Sequence, residues 1–211
     1  MIPLTNPSEK SIKSIVDKSF DPISQKIDNI QYKMTKMKFS DIPRFTRRPT
    51  YHNDVPLDYV EKWINDQIKS LGLQLNPDFQ RGHVWTEEQQ ILYIEYLLHG
   101  GASGKDFYFN RIGGMHNFKN LKADFVCVDG LQRITAILAF VHNEIPAFSY
   151  HARDYDDLRF ADVMFSFYIN DLTSKKDVLR WYIEMNSSGT IHTKEELEKV
   201  KKMIEKIENT N

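Results

Sequence analysis

The chain has 211 residues, 41% of them apolar and 12% aromatic, a composition that fits a folded domain with a sizeable core and excludes an intrinsically disordered chain. Basic and acidic residues number 28 and 29, a formal charge of −1, which excludes a polyelectrolyte binder working through its whole surface and leaves local basic patches. The single cysteine excludes an intramolecular disulfide, no apolar run reaches the roughly 18 residues of a membrane span, and the start MIPLTNPSEK lacks a signal-peptide core; the expectation is a cytoplasmic protein with no membrane partner.

Residues 1–50 read as an N-terminal arm preceding a domain at 51–211. Pro3, Pro7 and Pro22 interrupt two weak helical patterns, at 11–18 and 23–37. Between Tyr32 and Tyr51 lie Lys33, Lys36, Lys38, Arg44, Arg47 and Arg48 against Asp41 alone, interleaved with Phe39 and Phe45. Basic residues alternating with aromatics suit a nucleic-acid-contacting arm. The competing reading is a solvated connector whose aromatics pack on the domain.

Asn53 or Asp54 is expected to cap a helix with Pro56 near its start, carrying Leu57, Val60, Ile64, Ile68 and Leu71 at helical spacing to Gly72. Asn76-Pro77 then begins a loop that runs through Gln80, Arg81 and His83 to Trp85. A dense polar cluster on a loop is a candidate site, with a structural arginine–carboxylate clamp as the alternative. Thr86 with Gln89 forms a capping box for a helix at 87–99, whose wide apolar arc (Ile91, Leu92, Ile94, Leu97, Leu98) predicts burial. The glycine-rich stretch Gly100–Lys105 imitates a phosphate loop and fails the pattern, because His99 stands where the leading glycine belongs and Asp106 where Ser or Thr does. It reads as a flexible connection.

Strand character follows at Phe107–Ile112, with a turn at Gly113-Gly114 and Asn117–Lys122, and then at Phe125–Val128, with Cys127 as a small core residue. Asp129-Gly130 breaks the second strand, and from Leu131 the period turns helical, with Ile134, Ile137, Leu138 and Val141 on one face. A strand that turns into a helix aims free backbone N–H groups and the positive end of the dipole at one point, which suits an anion. Gln132 and Arg133 lie in the first turn, where an amide and a planar cation can meet phosphate oxygens. Further strands are expected at Glu144–Phe148 and Val163–Ile169. Asp154, Asp156, Asp157 and Asp162 form an acidic cluster, read as a solvated turn or, in a third functional reading, as the metal site of a nuclease. A helix at 174–185 ends in Asn186-Ser187-Ser188-Gly189-Thr190, either a plain turn or a pocket wall that offers hydroxyls and N–H groups to phosphate. Thr193 and Glu196 make a second capping box, opening a helix laced by Glu195–Lys199 and Glu198–Lys202 pairs.

Three segments in this order, NPDFQRGHVW, VDGLQRITAI and MNSSGT, resemble the DGQQR-signature domain at the N-terminus of GmrSD-type modification-dependent restriction systems. The resemblance runs from about Leu73 into the last helix. It implies an α/β (α+β) fold of the ParB/sulfiredoxin kind, a small mixed sheet packed with helices. It also implies a site for a nucleoside triphosphate with Mg2+, in which Asp129, Gln132 and Arg133 are catalytic. Gln80, Arg81, Gly130, Asn186, Ser188 and Gly189 would bind phosphate, and the Asn76-Pro77…Gln80-Arg81 stretch resembles a first phosphate-contacting box of ParB domains. Family members hydrolyse nucleotides and commonly regulate an attached nuclease, and small stand-alone copies suit bacteriophage genomes. No separate protein metal site is implied.

Two departures stand out. Leu131 replaces the first glutamine of the signature and is expected to face the core, keeping phosphate binding while weakening water positioning. The His-Asn-His nuclease module that often accompanies the family is expected to be absent after the last helix. The leading expectation is therefore a nucleotide-triphosphate hydrolase acting in phage–host conflict or DNA metabolism. The alternative is a catalytically weak nucleic-acid or protein-binding module that uses Lys36, Lys38, Arg44, Arg47 and Arg48, with DNA, a host protein or a second copy as partner.

Overall fold

The computed structural model describes residues 38, 39, 42, 51–113, 124–156, 160–187 and 194–209. The chain divides into Met1–Arg44 and Phe45–Asn211. Of the first unit only Lys38, Phe39 and Ile42 are described, all exposed. The two weak helical patterns and Lys36, Arg44, Arg47 and Arg48 lie outside the described residues.

In the second unit the order is β1 (Tyr51–Pro56), α1 (Val60–Leu71), α2 (Glu87–Leu98), β2 (Asp106–Arg111), β3 (Phe125–Asp129), α3 (Leu131–Val141), β4 (Met164–Asn170), α4 (Lys175–Ser187) and α5 (Lys194–Glu208). The strands make one mixed sheet in the order β1-β4-β2-β3. β1 runs antiparallel to β4, β4 parallel to β2, and β2 antiparallel to β3. A small sheet packed against helices is the α+β class expected.

One face of the sheet carries fully buried rings, Phe107, Phe109, Phe165 and Phe167. Trp63 of α1 meets Phe167 edge-on at 4.6 Å and Phe109 at 5.4 Å, geometries that suit the ring quadrupoles. Ile64, Ile94, Leu97, Ile134 and Ile137 from α1, α2 and α3 complete this first core. A second core joins Val126 and Val128 to Val178, Leu179, Trp181 and Tyr182 of α4, Val200 of α5 and Phe79 of the loop before α2. β3 thus gives Phe125 and Cys127 to one core and Val126 and Val128 to the other. That two-sided burial is why its sequence is an unbroken apolar run. Gln74 covers its outer edge: Gln74 N donates to Phe125 O and Cys127 N to Gln74 O, both at 2.9 Å, so backbone groups that an edge strand leaves open are satisfied.

Three expectations are corrected. Tyr51–Pro56 is a strand and not the capped start of a helix; Asn53 and Asp54 sit opposite Phe167 and Ser166, and Ser166 Oγ donates to Asp54 Oδ1 at 3.1 Å. Pairing with β4 overrides the local capping signal, and α1 begins at Val60, ending at Gly72 in the left-handed region (φ 70°). Glu144–Phe148 is a turn, because Asn143, Phe148 and Ser149 all have positive φ and Ala147 forms only an isolated bridge to Tyr150. α2 is less buried than its composition implies: Leu92 is 64% exposed, and Ile94 and Leu97 are its buried residues.

Trp63→Ala is expected to lower stability by about 3–5 kcal/mol, as for large aromatic truncations in a packed core. Urea unfolding measures it, and a loss below about 1 kcal/mol would mean that α1 is not seated on the sheet as described.

Candidate functional site at the β3–α3 turn

Antiparallel pairing of β2 with β3 slips by one residue: Phe109 faces Cys127 but Tyr108 faces Asp129, leaving Val128 as the extra residue of a bulge. Strict alternation would send Asp129 to the side of Phe125 and Cys127, into the first core. The bulge instead brings it opposite Tyr108, whose ring meets Trp181 of α4 at 6.1 Å. A bulge is a common way to re-aim one side chain beside a site. The carbonyls of Cys127 and Val128 both accept from Gln80 Nε2, at 2.7 and 2.9 Å, so these two acceptors at the disturbed ladder are satisfied.

Gly130 then turns the chain with φ 121°, and a Cβ there would lie 2.4 Å from Phe107 Cδ1. Both the conformation and the close approach require glycine. α3 begins directly after it with no side-chain cap and no acidic residue in its first turn. α2 provides the contrast: Thr86 accepts from Gln89 N in a complete capping box, as expected. The leading N–H groups of α3 therefore stay available to a ligand.

Arg133 Nη2 donates to Asp129 Oδ2 at 2.6 Å, and its guanidinium stands 5.0 Å from the centre of the Phe107 ring. Gln132 behaves differently from expectation. Its Oε1 accepts from Val84 N at 2.8 Å and Trp85 N at 3.1 Å, and its Nε2 donates to Gly82 O at 3.1 Å. The Gln132 amide expected to meet phosphate is committed to the loop, and that of Gln80 is committed to the carbonyls of β3. Arg81, between them, pairs with Glu196 of α5 at 3.2 Å, the clamp foreseen as the alternative for this loop. Phe79 packs edge-on against Tyr182 at 5.2 Å, and Lys175 Nζ lies 2.7 Å from Asp78 Oδ2. Lys199 Nζ donates to Asp78 O at 3.1 Å, and Glu198 pairs with Lys201 at 2.7 Å.

These elements enclose a cavity of about 480 Å³. Gln80, Arg81, Asp129, Gly130, Gln132, Arg133 and Asn186 all line it, so residues up to 106 positions apart in sequence meet at one place. Asn186 Nδ2 donates to Tyr182 O at 2.7 Å within α4. Ser188, Gly189 and Thr193 lie outside the described residues. Leu131 lines the cavity and does not enter either core, which corrects the expectation of a core-facing residue. His83 is exposed.

Sequence reasoning missed the aromatic wall. Tyr93 and Tyr96 of α2 line the cavity, as do Tyr182 and Met185 of α4 and, from the glycine-rich turn, Ser103 and Gly104. The available signal was the i, i+3 spacing of the two tyrosines beside the apolar stripe of α2. Burial pushes the Tyr182 phenol up to about 12, Glu196 adding to the rise and Arg81 opposing it. Burial also raises Tyr93, against the nearby Arg133. Both phenols are protonated at neutral pH. Of the acidic cluster, Asp154 accepts from His151 N at 2.9 Å, and Asp157 is outside the described residues. Among the described residues no three His, Cys, Asp or Glu side chains gather as a metal cage, and no helix is long and apolar enough to cross a membrane.

Fold and cavity define a class, an α+β domain whose strand-to-helix turn sets the Asp129–Arg133 pair in a cleft that Arg81 also lines. Residues 60–206 match the family model for the GmrSD restriction endonuclease, N-terminal domain, and the chain belongs to that family. No curated protein and no solved structure matches it. The family gives the domain its setting, a restriction system.

Gln132→Ala removes three hydrogen bonds and is expected to cost about 1–3 kcal/mol. Amide exchange at Val84 and Trp85 should accelerate in the variant. Unchanged protection there would show that Gln132 does not hold the loop.

Proposed function

We propose that this domain binds a nucleoside triphosphate with magnesium at the β3–α3 turn and hydrolyses it, as a nucleotide-dependent component of a restriction system. One observation carries the reading: the uncapped, acid-free start of α3 opens on a cavity walled by Arg81 and Arg133. Free N–H groups, the helix dipole and two planar cations converge on one space, which is the arrangement that polyphosphate requires. A volume of about 480 Å³ falls within the usual span of small-molecule sites.

Magnesium fits the residues present. It is commonly held by one or two carboxylates together with substrate phosphates and water, not by an all-protein cage. Asp129 is the carboxylate that lines the cavity, and one of its oxygens, Oδ2, is oriented by Arg133. The ion would neutralise charge on the transferred phosphoryl group. The two arginines hold phosphate oxygens and stabilise the charge that builds during transfer. Gln132 acts one step back, fixing the loop that carries Arg81. Because each arginine starts in a carboxylate pair, binding exchanges one anionic partner for another and leaves no bare buried cation at any stage.

Arg133→Ala is expected to weaken triphosphate binding roughly 10- to 150-fold, the equivalent of about 1.5–3 kcal/mol for a charge-assisted contact. Calorimetric titration of wild type and variant with magnesium and each of the four nucleotides tests it. Equal affinities in a folded variant would dismiss the site, and absence of phosphate release with every nucleotide would dismiss hydrolysis.

A further inference from the structure

The cavity is lined by cations and aromatic rings together: Arg81, Arg133 and Asn186 share it with Trp85, Tyr93 and Tyr96, and Arg133 lies beside Tyr93 at the Gly104 turn. A triphosphate chain alone would leave the rings without a partner. The geometry points to the wall of Trp85, Tyr93 and Tyr96 as a base-recognition subsite, in which the rings pack against a planar heterocycle and the paired hydroxyls of Tyr96 and Ser103 read its polar edge. The inference rests on the nucleotide reading above and specifies which part of the ligand lies where.

The subsite is built. Trp85 and Tyr93 sit edge to face with centres 5.5 Å apart, and the Tyr93 hydroxyl donates to Gly104 O at 2.8 Å. That bond fixes the turn beside Arg133, since a Cβ on Gly104 would lie 3.3 Å from Tyr93 Cε2 and 3.9 Å from Arg133 Cδ. Gly101 packs so closely on Tyr96 that a Cβ would fall 2.3 Å from the ring. Ser103 N donates to the Tyr96 hydroxyl at 3.0 Å, and the two hydroxyl oxygens are 2.7 Å apart. Two hydroxyls carry two protons, and their mutual bond uses one. Whichever oxygen donates, the other keeps an O–H, and this donor is held at the cavity wall by a backbone bond. Aromatic faces supply affinity for any base, whereas a fixed donor distinguishes bases by their edge groups.

The test compares inorganic tripolyphosphate with the four nucleoside triphosphates, each with magnesium, on wild type and on the double variant Tyr96→Phe/Ser103→Ala, because either single change leaves one hydroxyl able to donate. Wild type is expected to bind its preferred nucleotide about 5- to 150-fold more tightly than tripolyphosphate, the range for base–aromatic stacking. The double variant should lose about 2- to 10-fold for that nucleotide, and with it the preference among bases, as expected for one hydrogen bond. Tripolyphosphate bound as tightly as every nucleotide would overturn the base subsite and leave the phosphate site standing. Base preference retained in the double variant would overturn the hydroxyl readout. Binding of neither tripolyphosphate nor any nucleotide would remove both readings together.

Discussion

Two side-chain amides hold the cleft together. Gln80 and Gln132 reach across from opposite sides of one loop, the first gripping the carbonyls at the end of β3 and the second gripping Gly82, Val84 and Trp85 from the first turn of α3. A primary amide offers two donors and an acceptor, and these two residues use them to tie a segment without regular structure to β3 at one point and to α3 at the other. Arg81 is positioned because both of its flanks are tied. The capping box of α2 starts at Thr86, immediately after the second tie, so the aromatic wall that α2 carries is suspended from α3 as well. The cleft is one mechanical unit made from pieces that are far apart in sequence.

Charge is handled locally. A protein of net charge −1 carries no strong global field, and the cations of its cleft are set by local pairs. Arg133 is tied to Asp129 within one turn of chain, and Arg81 to Glu196 across the domain. Side chains in both pairs are about a third exposed or less, apart from Asp129 at 36%, so the cations are held in fixed directions at limited desolvation cost. Preset guanidinium directions reduce the reorganisation a ligand must drive.

Much of this fold was legible because its signals are local. The Thr86–Gln89 box, Gly72 after α1 and the valine-rich run of β3 each announce an element within a few residues, and the turn at Asp129-Gly130 was readable from the change of period. β1 was illegible because YHNDVP is polar and carries helix-capping residues; only its pairing with β4 makes it a strand. That several of the singled-out residues would lie together was legible, while what each side chain does was not. Gln80, Arg81, Asp129, Gly130, Gln132, Arg133 and Asn186 do converge, yet which of them face a ligand and which hold the walls depends on where each side chain points after folding. Leu131 and Gln132 show this most clearly. The apolar residue lines the cavity, while the amide beside it is fastened to the neighbouring loop.

The irregularity at Val128 has a consequence for how this strand tolerates change. Side chains can vary along β3 within the limits of volume, because each has a settled neighbour on one face or the other. Its residue count is another matter. Shortening the strand by one position would restore regular alternation and turn the Asp129 carboxylate inside out, towards the rings of the first core. The arithmetic of a single inserted position therefore decides whether this domain has an acid in its cleft.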